Sequence, residues 1–358
     1  FLMAETLEIP YAEIVIAALV PSILYYFAAY VQVDLIAARD DIAAVQQDIP
    51  QLKQVLKEGW YFIPPFIVLV YMLFWASQPA AVAGIWAAGL LVVSGAIFSY
   101  KGKRIQLGDL YEILAETGLI TIQLIMIVAA AGLVIGVLNV TGLGLALPTA
   151  LISIAGDNLA ILLIIAAVIC IVLGMGMPTT AVYILLSALI APAIIEAGVD
   201  DVPAHMFILY FGMMSMITPP IALAAFAAAT LTKADPMATG FVAMRFGWTA
   251  YVVPFLFVIA PSLLLLGEDN TQIAIDTGTA LIGVYFISVA AIGFFGQNLS
   301  WLVRILLILS GLAAMIPDQA VGFEGIADIA GCLAGLAILL REFVIARRII
   351  PEKNDNLA

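Results

Sequence analysis

Two short stretches of this sequence combine oxygen-bearing side chains with residues that break helices. One is Gly174-Met175-Gly176-Met177-Pro178-Thr179-Thr180 and the other is Ser215-Met216-Ile217-Thr218-Pro219-Pro220. Hydroxyls together with carbonyls freed by unwound backbone make an all-oxygen set, which a hard cation such as Na⁺ takes as ligands. Thr179, Thr180, Ser215 and Thr218 supply the hydroxyls, with the carbonyls of Gly174, Gly176 and Met216 as partners. Helices beginning after Pro178 and after Pro220 would aim free N-terminal amides at the breaks, and proline in a first turn loses no donor the helix needs. Such amides suit a carboxylate, so Met177, Pro178, Thr180, Pro219 and Pro220 are the candidate substrate contacts. Glycine and proline also serve as packing kinks in membrane helices. Two breaks in adjacent elements, each with hydroxyls, weigh toward binding.

The elements around the breaks set their depth. No charged residue occurs from Asn158 to Ile195. As one helix, 158–196 would be ~58 Å long against a hydrocarbon core of ~30 Å. A re-entrant hairpin over 158–196, with its tip at Gly174 to Thr180, resolves this; two complete spans also absorb the length but place the break at the surface. The segment 206–231 would be ~39 Å, one tilted span. Its Thr218-Pro219-Pro220 falls mid-membrane, so it reads as a discontinuous helix. Interrupted backbone is tolerated in lipid only where it faces protein, water or a ligand.

Composition places these elements in a class. The chain is 65% hydrophobic and 11% charged, with a mean hydropathy of +1.17, far too apolar for a soluble domain. It reads as an all-α polytopic membrane protein seated in a lipid bilayer. The net charge of −12 does not imply nucleic acid, because in a membrane protein the distribution of Lys and Arg matters more than the total. Spans are expected at 10–33, 61–77, 80–100, 119–140, 246–266, 280–295, 302–316 and 326–344, with 34–59 as an amphipathic cytoplasmic connector and 142–154 as a half-helix. This arrangement puts all 13 Lys and Arg inside, from Arg39, Lys53, Lys57 and Lys101-Gly102-Lys103-Arg104 to Lys353. The outside loops carry acids instead, Asp157, Glu196, Asp200, Asp201, Glu268, Asp269, Asp276, Asp318 and Glu324 among them.

Other polar residues have plainer readings. His205 opens the discontinuous helix beside an acidic loop, where an interfacial histidine is ordinarily surface; a proton relay is the sharper alternative. Asn139 and Asp157 flank the half-helix and suit capping. Cys170 and Cys332 sit in apolar runs as small hydrophobes, without a disulfide. The methionines near the breaks are flexible packing. Gly142-Leu143-Gly144 lacks the strand and the third glycine of a nucleotide loop. No catalytic constellation, paired intramembrane carboxylates or zinc spacing is present. The residues alone leave open a transporter, an ion-selective channel and an integral-membrane enzyme, the last disfavoured by the missing constellation.

An internal echo points to inverted repeats. Ala225-Phe226-Ala227-Ala228-Ala229-Thr230, before Asp235-Pro236 and a new span, parallels Phe1-Leu2-Met3-Ala4-Glu5 before Ile9-Pro10 and a new span. The copies would run in opposite directions, as inverted repeats require. The opening lacks an initiator Met and a signal peptide and reads as an internal start just past a first-half break.

Leu173-Gly-Met-Gly-Met-Pro-Thr-Thr, then Thr218-Pro219-Pro220 and the Ala-rich run to Thr232-Lys233-Ala234-Asp235-Pro236, resembles the large membrane subunit of tripartite ATP-independent periplasmic (TRAP) transporters in the TAXI branch. The resemblance covers Phe1 to Pro261, and residues beyond Ser262 resemble an extra C-terminal membrane segment. It implies an inverted-repeat, elevator-type permease of the bacterial or archaeal inner membrane, with no cofactor. Coupling to a Na⁺ or sometimes a H⁺ gradient, and an organic acid delivered by a periplasmic TAXI-type binding protein, are implied with it. A small four-helix membrane subunit, often fused upstream in this branch, is also implied. On this reading 1–33 ends the first repeat, 34–59 connects, 60–261 is the second repeat, and 262–358 is the extra segment and tail. The second-half ion site falls on Gly174 to Thr180 and Ser215 to Pro220. A chain without the first-half site is not expected to transport by itself.

Overall fold

The computed structural model describes residues 1–42, 52–76, 78–99, 104–156, 158–267, 269–316 and 326–355. These residues form helices and turns, with one isolated bridge between Phe294 and Asn298. In chain order α1 is Leu2–Thr6, α2 Tyr11–Ala17, α3 Leu19–Arg39, α4 Leu52–Gly59, α5 Ile63–Phe74, α6 Ala80–Ile97 and α7 Leu107–Thr141. Gly142, in the left-handed region at φ +74°, turns the chain into α8, Leu143–Ala155. Then come α9 Leu159–Gly174, α10 Thr179–Leu189, α11 Ala191–Glu196, α12 Asp201–Met214 and α13 Leu223–Thr232. The chain continues through α14 Pro236–Phe246, α15 Thr249–Ile259, α16 Asn270–Ile292, α17 Trp301–Met315 and α18 Ile326–Asp355.

Side-chain caps fix several starts. Asn158 Oδ1 accepts from the Ile161 amide at 3.2 Å, Asp235 Oδ1 from Ala238 at 2.7 Å and Asp269 Oδ1 from Thr271 at 2.8 Å, each satisfying a first-turn donor that has no intrahelical partner. Among the described residues five helical stretches are long and apolar enough to cross a membrane: Tyr11–Arg39, Lys53–Phe74, Ala80–Ile97, Pro236–Ile259 and Asn270–Ile292. Leu159–Gly174, Thr179–Leu189 and Leu223–Thr232 are apolar but shorter. The described residues are thus all-helical, with the several long apolar helices of a multi-pass membrane protein.

The chain forms two compact units, one of residues 1–16 and 44–140, the other of 17–43 and 141–358. In the first, α5 packs on α6, and Tyr61 stacks on Phe98 with ring centroids 5.6 Å apart. Both breaks lie in the second unit. There α9 and α10 touch each other and both pack on α12, α12 packs on α15, and α13 on α14. The segment α16–α18 folds against α3 through a core containing Val31, Leu35, Phe286, Val289, Leu307 and Leu339. Small residues allow the approach, as is common between membrane helices: a Cβ on Gly283 would lie 2.5 Å from the Gly311 carbonyl oxygen.

The structure moves several expected boundaries. The span expected at 246–266 is Pro236–Ile259, because Asp235 caps and Pro236 starts a helix whose backbone is interrupted at Gly247 and Trp248 before α15. The helix expected to stop at Val33 runs to Arg39; residues 43–51 of the expected connector lie outside the described residues. The span expected at 119–140 is the far part of a 35-residue helix. Asp276, expected in an outside loop, is inside α16 and 4% exposed, kept there by donors from Ser262 Oγ and Gln272 Nε2. Of the orienting residues, Lys101, Gly102, Lys103, Asp157, Glu268, Asp318 and Glu324 lie outside the described residues.

Candidate functional site

The first break is the link Met175–Pro178 between α9 and α10. Gly176 takes φ +78°, a left-handed conformation that glycine reaches without the Cβ penalty. Pro178 is the N-cap, so Thr179 and Thr180 occupy the first turn of α10, with that turn's free amides toward the break. The second break is Ser215–Ala222, between α12 and α13. It is bridged by the Ala224 amide donating to the Met216 carbonyl at 3.0 Å. The helix expected right after Pro220 begins at Leu223, with Ala222 as its N-cap, so its free amides are displaced from the two prolines.

The structure brings the two breaks together. Gly174 is buried where a Cβ would come within 2.8 Å of both the Gly212 carbonyl oxygen and Ser215 Oγ. Thr179 Oγ1 stands 3.8 Å from Met216 Sδ, and the nearest neighbour to a Cβ on Gly176 is Ile221, at 4.0 Å. Gly212 does the same service for the other arm, since its Cβ would be 2.6 Å from Val182 Cγ1 and 3.0 Å from Leu186 Cδ1. The hairpin arms therefore lie against α12 because both contact lines lack side chains.

Hydroxyl chemistry differs between the breaks. Ser215 Oγ donates to the Gly212 carbonyl at 2.6 Å. Thr218 Oγ1 donates to the Met214 carbonyl and pairs with Tyr251 Oη at 2.6 Å. A hydroxyl has one hydrogen to give; with the Thr218 hydrogen on Met214, Tyr251 is the donor of the second bond. Ser215 and Thr218 are both buried. Thr179 and Thr180 are half-buried, and among the described residues Thr180 has no hydrogen-bond partner, while Thr179 has only the sulfur. Met177 is half-buried, and Pro178 and Pro220 are exposed. Pro219 instead packs on α14, where a Cβ on Gly240 would lie 2.9 Å from its Cγ.

α14 and α15 form a seat for the second break that the sequence reading did not find. Gly240 receives Pro219 and Ala222, Gly247 receives Ile217 with a would-be Cβ contact of 2.7 Å, and Tyr251 binds Thr218. These three residues belong to α14, to its C-cap and to α15, a spacing present in the sequence but meaningless without knowing what faces it. Behind the seat, Gln32 of α3, fully buried, donates from Nε2 to the Phe246 carbonyl at 3.0 Å, one of the groups released where α14 ends. His205 is corrected from a surface residue to a buried one, 5% exposed within α12, its Nδ1 2.8 Å from Tyr183 Oη.

Residues 1–268 match a family model described as Tripartite ATP-independent periplasmic transporter, DctM component, which includes both breaks and leaves α16–α18 beyond it. The chain is 23% identical over 261 residues to the C4-dicarboxylate TRAP transporter large permease protein DctM of Pseudomonas aeruginosa, covering 72% of this chain and 59% of that protein. It is 21% identical over 180 residues to the isethionate TRAP transporter permease protein DctMQ of Oleidesulfovibrio alaskensis, covering 50% of this chain and 28% of that one. The chain therefore spans less than two thirds of the length of either relative. Both are transport permeases and neither is an enzyme. No solved structure matches.

Proposed function

The chain belongs to the DctM-component family of tripartite ATP-independent periplasmic transporters, and from that premise we propose that it forms the second inverted repeat of a TAXI-type permease. In this reading the permease is a cation-coupled secondary transporter of the inner membrane. It imports an organic acid handed over by a periplasmic binding protein, with the small four-helix subunit as its membrane partner. The relatives are named for a C4-dicarboxylate and for isethionate, both organic anions, which suits a site built partly from helix N-terminal amides.

The observation that carries the proposal is the meeting of the two breaks, with two threonine hydroxyls at the start of α10, that of Thr179 held only by the Met216 sulfur. The ligand set is Thr179, Thr180 and the carbonyls of Gly174, Gly176 and Met216, with Ser215 and Thr218 contributing the lone pairs their hydrogen bonds leave over. Na⁺ is the coupling ion. The hairpin is re-entrant: α9 is ~24 Å long at 1.5 Å per residue, short of the ~30 Å core, so a link at its end sits within the membrane. An elevator then carries hairpin and broken helix as one body, since Gly174 and Gly212 leave no space between them.

Uptake by the full-length permease in proteoliposomes tests this. Substrate should accumulate only with the binding protein present and a Na⁺ gradient directed inward. Flux at channel rates without the binding protein would sink the transporter reading, and uptake indifferent to Na⁺ would sink the cation.

A further inference from the structure

The chain has a single histidine, and the structure buries it on α12 against Tyr183, one turn after Thr179 on α10. His205 is 5% exposed and Tyr183 is 4% exposed, one on α12 and the other on α10. Their bond of 2.8 Å between Tyr183 Oη and His205 Nδ1 crosses between the two helices. Buried polar groups need partners, and a leucine pair would fill this space without that demand. An ionisable group kept inside a membrane protein with one named partner is by default a functional group.

Burial opposes a proton on His205, and Asp201, one turn earlier on α12, favours one, with Asp200 as the preceding N-cap. Among the neighbours of α12, α9 brings only Cys170 as a titratable group, α11 only Glu196 and α15 only Tyr251, the last already bound to Thr218. α10 brings Tyr183 itself, and α8 brings none. With neutral His205, the Tyr183 hydroxyl donates to Nδ1 when the ring hydrogen is on Nε2 and accepts from Nδ1–H in the other tautomer. In the protonated ring Nδ1–H donates to Tyr183 Oη, so the bond persists without parting the helices. What changes is the charge: an imidazolium then stands inside α12, whose other end forms the second break. From His205 to Ser215 along the helix is ~15 Å.

We propose that the Tyr183–His205 pair is a proton-binding site antagonistic to the cation held where the two breaks meet. The antagonism rests on the cation reading given above, whereas the proton site does not. Two positive charges ~15 Å apart in an effective dielectric of about 20 repel enough to move a titration midpoint by roughly half to one pH unit. By linkage the effect is reciprocal, so protonation weakens Na⁺ binding by about three- to tenfold.

The lone histidine makes the test direct. The full-length permease, with any histidine outside this chain replaced and labelled with ¹⁵N-histidine, gives one imidazole signal to follow against pH in nanodiscs. The expected result is a titrating signal whose midpoint falls by about half to one pH unit when Na⁺ replaces choline. In His205→Gln, whose amide oxygen still accepts from Tyr183, Na⁺ affinity should lose the part of its pH dependence due to this pair and stay at its high-pH value. A signal that does not titrate between about pH 4 and 9, a range wide around the ordinary histidine value, overturns the proton site. A titrating signal with an unmoved midpoint, in protein that binds ²²Na⁺, overturns the antagonism. Titration in protein that binds no ²²Na⁺ overturns the cation reading and leaves the proton site standing.

Discussion

The two breaks meet, yet they are built in opposite ways. The first is held by what it lacks: Gly174 has no side chain where the Gly212 carbonyl and Ser215 press against it, and its hydroxyls are left over. The second is held by its side chains, with Ser215 and Thr218 donating to carbonyls of the preceding turn and Tyr251 closing on Thr218. Hydroxyls beside a helix break are therefore not one signal. At the first break Thr179 and Thr180 can turn to a ligand at little structural cost. At the second, the hydroxyls are committed to carbonyls of the preceding turn, that of Met214 also taking the Ile217 amide, and the oxygen left to offer is chiefly backbone.

The harshest way to break this comparison is to give the first break a side chain. Gly174→Val places a Cβ against the Gly212 carbonyl oxygen at 2.8 Å, and backbone cannot step aside as a rotamer can. Overpacking of this kind costs about 1–3 kcal/mol, and the upper end applies here. The melting temperature in detergent should fall clearly. Gly212→Ala should cost less, since its contacts are the methyl ends of Val182 and Leu186. Equal melting of Gly174→Val and the parent would mean that close backbone approach does not hold the first break.

How much of this was legible in the sequence follows the same division. The breaks could be read from Gly, Pro and Thr because those residues act locally on backbone, and the start of a short helix after Gly142 could be read for the same reason. The meeting of the breaks could be expected only through the family resemblance, since it depends on Gly174 and Gly212 lying opposite each other across two helices. Tyr251 gave no signal, being one tyrosine in an apolar helix until Thr218 is placed against it. His205 was misread because its neighbours in sequence are acidic and exposed, whereas its neighbour in space is Tyr183. The span at 246–266 was misplaced because hydropathy does not see a cap, and Asp235-Pro236 decides where that helix starts.

A milder change separates structure from ligation at the second break. Tyr251→Phe removes the hydroxyl from Thr218 and no packing, at a cost near 1 kcal/mol. Thr218→Ala also loses the bond to the Met214 carbonyl, which keeps the Ile217 amide as its donor, and should cost somewhat more, about 1–2 kcal/mol. The two losses should be coupled by roughly 0.5–1 kcal/mol in a double-mutant cycle, because one hydrogen bond is shared. Additive losses would show that Tyr251 and Thr218 do not act as a pair.

The smallest structural change gives the sharpest contrast. Thr179→Val and Thr180→Val keep the β-branched shape at the start of α10 and lose only the contact with a sulfur 3.8 Å away, so melting should shift by under about 0.5 kcal/mol, as surface substitutions do. If these hydroxyls are ligands, each loss removes one charge–oxygen interaction of about 1.5 kcal/mol, close to tenfold in Na⁺ affinity. Stability and Na⁺ titration should therefore separate: the second-break variants move melting more than affinity, and the first-break variants move affinity and hardly melting. The reverse assignment, with Thr218→Ala weakening Na⁺ strongly and Thr179→Val leaving it untouched, would mean that the hydroxyl bound to Tyr251 is the ligand and that the free ones are spectators.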